Sequence, residues 1–291
     1  MAIVLGDNRY GKAEIRLLRV ARHADRHEIR ELTVGVSLSG DFDAVHLTGD
    51  NRAVLPTDSQ KNTVYAFAAD TPVGEIEDFA LRLARHFVAT AEAVHHATVH
   101  VDEHAWEHID VGGAHHPHAF RRTGEERRQA RAVAEDGRAW VAAGLDGLVV
   151  LKSAGSEFRG FARDRYTTLA DTTDRILATT VTARWRFATL DVDWAASFGG
   201  ARAALLQRFA GHHSLSLQQT LYEMGRAVLE ARPEVAEVRL SLPNRHHFDL
   251  DVAAFGVAGR HEVFQIADRP YGLIEGTVRR QDAPAGPALD W

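Results

Sequence analysis

The chain has 291 residues, 45% of them hydrophobic and 25% charged, enough apolar mass to bury a sizeable core in one large domain or two of ordinary size. A formal net charge of -6, with no long Lys or Arg block beyond the Glu125–Arg131 region, argues against broad nucleic-acid binding, which needs a basic surface to release counterions. The absence of cysteine excludes disulfides, thiolate nucleophiles, iron–sulfur clusters and cysteine zinc sites.

The opening Met1-Ala2-Ile3-Val4-Leu5 is a short apolar run cut off by Gly6-Asp7-Asn8-Arg9. It is too short for a signal peptide or a membrane span, so a cytoplasmic protein with no membrane partner is expected. From Gly11 the pattern alternates around Ile15 and Leu17; after a polar turn at His23–His27, Leu32, Val34, Val36 and Leu38 interleave with Thr33, Gly35 and Ser37. That is a hairpin with one buried face.

Function is expected to gather at Leu55-Pro56-Thr57-Asp58 and the residues up to Asn62. Pro56 biases its predecessor away from helix, Thr57 or Asp58 can cap, and Ser59–Ala69 can turn helical. Both side chains then sit among unpaired backbone N–H groups, a setting that receives anions. Thr167–Arg175 echoes the arrangement, again setting Thr and Asp ahead of an apolar run.

After Pro72 and Gly74, the residues Ile76, Phe79, Ala80, Leu83, Ala84 and Phe87 recur at three-and-four spacing and predict a helix with one apolar face. Ala97–Trp106 alternates as a strand, Gly112-Gly113 reads as a loop, and Ala132–Ala134 with Trp140–Lys152 forms a hairpin about Asp136-Gly137. Helices are predicted over Val192–Ala210 and Leu217–Ala231, the second stopped by Arg232-Pro233. Strands follow at Val238, Leu240 and Leu242 and over Phe248–Val252, and the Pro- and Gly-rich Gln281–Trp291 reads as a loosely ordered tail.

The order is hairpin, paired helices, hairpin, twice over. It predicts an α+β architecture of two modules, 1–130 and 131–280, each an antiparallel sheet covered on one face by helices. Open sheet edges invite closure by other copies, so a ring or barrel of several subunits is expected.

Tyr10-Gly11-Lys12, the Thr57-Asp58 stretch, Ser156-Glu157-Phe158-Arg159-Gly160-Phe161, Asp174-Arg175-Ile176-Leu177, Leu217-Gln218-Gln219-Thr220 and Ser241-Leu242-Pro243-Asn244-Arg245-His246 together resemble the urate oxidase (uricase) family. The resemblance runs over nearly the whole chain in the right order. It implies two tandem copies of the tunnelling fold and a homotetramer around a tunnel. It also implies oxidation of urate by dioxygen and water to 5-hydroxyisourate and hydrogen peroxide, with neither cofactor nor metal.

Carried over by that resemblance, Lys12 activates Thr57 and His246 completes the relay, while Asn244 holds dioxygen or water above the ring. A strand lysine is otherwise usually a solvated edge charge, and with an ordinary pKa of about 10.4 it needs a lowered value for this role. Extended backbone puts Asn244 and His246 on one face and sends Arg245 and His247 to the other. The Arg175 fork and the Gln218 amide suit the edge of a flat anionic heterocycle, with Phe158 stacked beneath it and the Thr57, Asp58 and Leu217 backbones completing the pocket. The family's sites lie between subunits, so Lys12, Thr57 and Asp58 are expected from one chain and Phe158, Arg175, Leu217, Gln218, Asn244 and His246 from its neighbour.

The clusters His95-His96, His115-His116-Pro117-His118 and His212-His213 could bind zinc, but they are read as polar loops and element ends that lack a companion carboxylate at helical spacing. They keep open a rival reading as a zinc-using pterin-pathway enzyme of the same fold. A non-catalytic purine-binding protein is the second rival; it would have no use for Lys12, Thr57 and His246 together.

Overall fold

The computed structural model describes residues 2–135, 137–259 and 261–289, with Asp268 described in its backbone alone. The chain divides into two compact units. The first comprises the described residues of Met1–Gly144, Arg186–Ala195 and Pro284–Trp291; the second comprises those of Leu145–Trp185 and Ala196–Ala283.

In the first unit an antiparallel meander runs in chain order through β1 (Tyr10–Arg22), β2 (His27–Gly40), β3 (Val94–Val111) and β4 (Ala114–Glu135), and the first part of β5 (Arg138–Lys152) also belongs here. The predicted alternation becomes rows across the strands. Leu38, Ala97 and Ala134 stand in register, as do Val36, Val99 and Ala132, and Val34, Val101 and Ala130. Directly opposed residues share a face, so these rows form one apolar surface, and every member is buried. The short alanines of β4 leave that surface shallow where α3 (Ile76–Thr90) packs on β3 and β4.

The predicted stripe of α3 is buried throughout, from Ile76 to Phe87. Each fully buried Phe or Leu of this stripe contributes about 1.5–3 kcal/mol. A short helix α1 (Asp43–Thr48) precedes α2 (Thr57–Asp70). Helix α2 packs on β1, where the Tyr65 hydroxyl donates to Arg16 O at 3.4 Å.

Several expectations for this unit are revised. Neither Thr57 nor Asp58 caps α2: Pro56 occupies the cap position without a side-chain bond, and Thr57 is already helical. Pro56 has an extended ψ of 139°, so the chain turns into the helix one residue earlier than a Thr or Asp cap requires. His95-His96 and His115–His118 are among the opening residues of β3 and β4, so of the two expected placements it is the element end and not the loop that holds. Hydrogen bonding between these long strands continues through polar residues that alternate with no apolar face. Asp136 lies outside the described residues, but the strands end and resume on either side, at Glu135 and Arg138, and Gly137 has a φ of +76°. The tail is tied down through Leu289: Arg186 Nη2 donates to Pro284 O at 2.9 Å, Arg131 Nη1 donates to Ala288 O at 3.0 Å, and Leu289 is buried. Pro and Ala in that segment bond through backbone carbonyls, which composition does not register.

The second unit holds the rest of β5, most of β6 (Leu177–Phe187), all but the first residues of α4 (Trp194–Gly211), and α5 (Leu217–Ala231), β7 (Val235–Asp249) and β8 (Phe264–Arg279). The predicted stripe Leu217, Leu221, Met224 and Val228 of α5 is buried over β7 and β8. Two glycines set how closely they meet. A Cβ on Gly225 of α5 would fall 2.7 Å from Val278 Cγ2, and one on Gly276 of β8 would fall 3.0 Å from Leu221 Cδ2. The helix and the strand therefore interlock, each leaving room for the other's side chain.

The apolar run after Thr167–Arg175 is the strand β6 and not a second helix, because Thr179-Thr180-Val181-Thr182 is β-branched throughout. The strand expected over Phe248–Val252 is divided: β7 runs on to Asp249, and Val252–Phe255 forms a single 3-10 turn in which Ala253 N donates to the Asp251 side chain. The fold is α+β, built of antiparallel strands and helices. Among the described residues no helix is long and apolar enough to cross a membrane.

Candidate active site

The segment carrying Phe158 is an extended strap stitched at both edges. Phe158 and Thr172 exchange backbone bonds of 2.8 and 3.0 Å, and on the other side Glu157 N donates to Ser214 O at 2.8 Å while Ser214 N donates to Gly155 O at 3.0 Å. Asp174 Oδ1 accepts from Gly155 N at 2.8 Å and from Ser156 N at 3.4 Å. That carboxylate is thus used to fasten the strap. Its sequence neighbour Arg175 has a buried Nε with no hydrogen-bond partner among the described residues. Burial lowers the Arg175 pKa, the sign of a desolvated cation, and its guanidinium carbon lies 5.2 Å from the centre of the Phe158 ring.

Gln218 is placed by the way α5 begins. Ser216 is the N-cap and its hydroxyl accepts from Gln219 N at 3.1 Å, while Gln219 Oε1 accepts from Leu215 N at 3.0 Å. This is a reciprocal capping arrangement, shifted by one residue at its second bond. It consumes the Gln219 amide and leaves Gln218, in the first turn, to face inward. Thr220 donates to Ser214 Oγ at 2.8 Å and ties the same helix start to the strap.

Phe158, Arg175, Leu217, Gln218, Asn244 and His246 all line one cavity of about 730 Å³ in the second unit. Six residues that the family resemblance assigned to one chain's side of the site are therefore brought together. His247 lines it as well, against the expectation that it would face away. The β7–β8 register shifts between Asn244 and His246, with β8 passing from Gly272 to Ala267 across that step, and the irregularity breaks strict alternation. His246 is held below the ordinary histidine pKa by burial, then by the charges of Arg175 and His247, so its neutral form is favoured. A neutral imidazole can take a proton from one partner and return it to another.

Lys12, Thr57 and Asp58 belong to the first unit. Gly11 has no substitute where it stands: a Cβ there would lie 1.8 Å from Val36 O. Lys12 pairs with Val36 and Ile15 with Val34, so the chain gains one residue between them, and Glu14 in that bulge has a φ of +56°. The extra residue puts Lys12 and Ile15, three apart, on the same face as Val36 and Val34. That face meets the start of α2. The Tyr10 hydroxyl accepts from Leu55 N at 3.0 Å, and buried Gln60 donates to Leu55 O at 3.2 Å. Asp58 is exposed, and its pKa is lowered first by its hydrogen bond from Lys61 and, more weakly, by the charge of Lys12. Lys12 and the helix start are thus near neighbours.

Other cavity residues were not singled out by the sequence reading, although Leu169 and Thr172 fall within the Thr167–Arg175 echo. Leu169 and Thr172 come from an irregular loop, and Phe264 and Ile274 come from β8, whose glycines and charges mask its strand character. The clustered histidines are engaged with carboxylates: His96 with Glu135 at 2.9 Å, His115 with Asp110 at 2.6 Å and His213 with Glu157 at 3.0 Å. Among the described residues no group of three or more His, Asp or Glu is arranged to hold a metal ion.

Comparison with known proteins agrees with this geometry. The uricase family model matches residues 8–133 and 141–275. A uricase of Arthrobacter globiformis is 51% identical over 283 residues, 97% of this chain and 92% of that protein. A crystal structure of uricase from Arthrobacter globiformis superposes with a TM-score of 0.93 at 50% identity, covering 99% of this chain and 98% of that one. A uricase of Dictyostelium discoideum is 38% identical over 277 residues, 94% of this chain and 96% of its own. With the strap, the half-buried arginine whose Nε has no partner among the described residues, and the bulged β7 in place along a match that spans both halves, the chain belongs to the uricase family.

Proposed function

We propose that the chain is a cytoplasmic urate oxidase, which converts urate, dioxygen and water to 5-hydroxyisourate and hydrogen peroxide without a cofactor or metal. The single observation that carries this is Arg175: a desolvated cation with a donor unpartnered among the described residues, beside an aromatic ring, in a cavity that Gln218 also lines and that has room for a purine. Such a site matches a flat anion displaying donors and acceptors along one edge.

The proposed reaction begins with proton removal from the urate monoanion by the Lys12–Thr57 pair. Arg175 and Gln218 hold the resulting dianion, with Leu217 and the Thr57 and Asp58 backbones completing the pocket and Phe158 beneath the ring. Triplet dioxygen cannot react directly with a singlet molecule, so one electron passes first, and the radical pair then combines to a C5 hydroperoxide near Asn244. Hydrogen peroxide leaves, taking with it the two electrons lost by the purine, and water adds at C5 while His246 moves its proton. Positioning and charge stabilisation are the protein's contributions.

The site requires a second chain in this reading. Lys12, Thr57 and Asp58 of one protomer face the Arg175 cavity of its neighbour in a homotetramer. The two separate family-model matches, one in each half of the chain, support a tandem pair of modules, 1–130 and 131–280, as the building block. The test is to assay metal-stripped protein for urate loss coupled one-to-one to oxygen uptake and peroxide release. Activity abolished by a chelator and restored by zinc would sink the proposal. Lys12→Met is expected to cut turnover at least tenfold while leaving anaerobic urate binding within about threefold, since a proton acceptor contributes about 10²–10⁴ in rate and little to ground-state binding.

A further inference from the structure

We propose that Phe161 and Arg163 form a positioning brace that fixes the plane of the Phe158 ring, so that the ring is ready for a purine before one arrives. The inference rests on the urate-binding reading above and deepens it, because neither residue lines the cavity.

The geometry is a stack built through a reversed chain. Gly160 has a φ of +70°, which folds the backbone so that the rings of Phe158 and Phe161 meet across only three residues. Their centroids are 4.9 Å apart and their planes differ by 11°. The guanidinium of Arg163 caps the stack, its central carbon 4.7 Å from the centre of the Phe161 ring. Arg163 is itself held at two points, donating to Leu169 O at 3.1 Å and to Asp171 Oδ1 at 3.0 Å. Asp171 Oδ1 also accepts from Gly160 N at 3.4 Å and so closes the reversal.

Phe158 is consequently constrained twice, by the backbone bridge to Thr172 and by a ring on one of its faces. Phe161 thereby takes one side of the ring, and a purine has to fit against what Phe161 and the Arg175 guanidinium, its central carbon 5.2 Å from the ring centre, leave open. A free phenylalanine turns about two side-chain torsions, and binding that must freeze them is weakened accordingly. A ring stacked against it beforehand restricts both. It also fixes the height and tilt at which a purine lies relative to Arg175, Gln218 and Asn244. Phe161 is only half-buried and Arg163 is exposed, so ordinary core packing does not account for so regular an arrangement.

The test uses the purified full chain and urate itself under strict anaerobiosis, where binding is measured without turnover. Phe161→Leu and Phe161→Ala are expected to raise the urate dissociation constant about two- to tenfold, the range of one lost aromatic pair and one freed side chain. Phe161→Tyr is expected to restore it. Leucine preserves the apolar cover but not the plane, so a purely structural role predicts that Phe161→Leu binds normally and that only the thermal midpoint moves. Normal binding by folded Phe161→Leu would overturn the brace. If the Phe161 variants fail to fold, Arg163→Gln decides: a dissociation constant about two- to threefold higher in a folded protein supports the brace, and an unchanged one overturns it. Failure of the unsubstituted protein to bind urate at all would instead overturn the functional reading on which the brace depends.

Discussion

Arg175→Gln separates what the site does for the reaction from what it costs the fold. The guanidinium is desolvated, its Nε has no partner among the described residues, and the adjacent Asp174 is occupied by the strap. A hydrogen bond from a charged donor is worth roughly 1.5–3 kcal/mol, and a fork supplies two that do not add fully. Glutamine is shorter and neutral and keeps at most one. A loss of about 3–4 kcal/mol in transition-state stabilisation follows, or roughly 10²–10³ in kcat/KM. The free protein behaves oppositely: removing a half-buried cation that has no ion pair among the described residues is expected to leave the unfolding midpoint unchanged or raised. The same change shifts the acid limb of the pH profile. Arg175 is one of the charges holding His246 low, so without it the imidazole protonates at higher pH and activity begins to fall sooner on acidification. Steady-state oxygen uptake from pH 6 to 9, paired with thermal scans at one fixed protein concentration, measures all three effects. A kcat/KM within threefold of the parent, or a lowered midpoint, would refute the reasoning.

Glu77 is fully buried on α3, and burial pushes its carboxyl up to about 7 despite the Arg128 guanidinium 2.7 Å away. Because the folded pKa lies above the unfolded value, its contribution to stability is complete below about pH 4.5 and is lost as pH rises through about 7, a change of about 3 kcal/mol. Glu77→Gln should flatten that slope in urea titrations between pH 5 and 8; an unaltered slope would assign the effect elsewhere. Gly225→Ala drives a methyl group into Val278 and should destabilise by about 1–3 kcal/mol, with Val278→Ala in the same chain recovering most of it in thermal scans. Ser216→Ala removes the cap of α5 and should cost about 1 kcal/mol while raising the KM for urate, because Leu217 and Gln218 sit in the turn it secures. A lowered midpoint with unaltered KM would show that the cap does not hold the pocket wall.

Elements with one clean buried face were legible in the sequence. The valines and leucines of β2 and the stripes of α3 and α5 state their periodicity because one side meets the core and the other meets water. What escaped lacks that contrast. The outer part of β4, through His115–His118, is polar on both sides, and β8 carries glycines where α5 needs space. The candidate site followed the same rule. Arg175, Gln218, Asn244 and His246 were identified from residue type and family resemblance, whereas His247 faces the cavity only because the β7–β8 register slips, which no local pattern encodes. Phe161 stood in the sequence only as the last residue of the Ser156–Phe161 segment, and that its ring lies parallel to that of Phe158 is a product of the tertiary fold.

The first compact unit is discontinuous: residues 284–289 return to it after the whole second unit has intervened. A ribosome emits roughly 5–20 residues per second, so the strands of β1 to β4 wait on the order of ten seconds, with Arg131 still unprovided with its Ala288 carbonyl, before the returning segment emerges. During synthesis the early half is thus exposed to chaperones and to neighbouring nascent chains for longer than its local contacts alone would require. Shortening the chain at residue 283 would make that interval permanent.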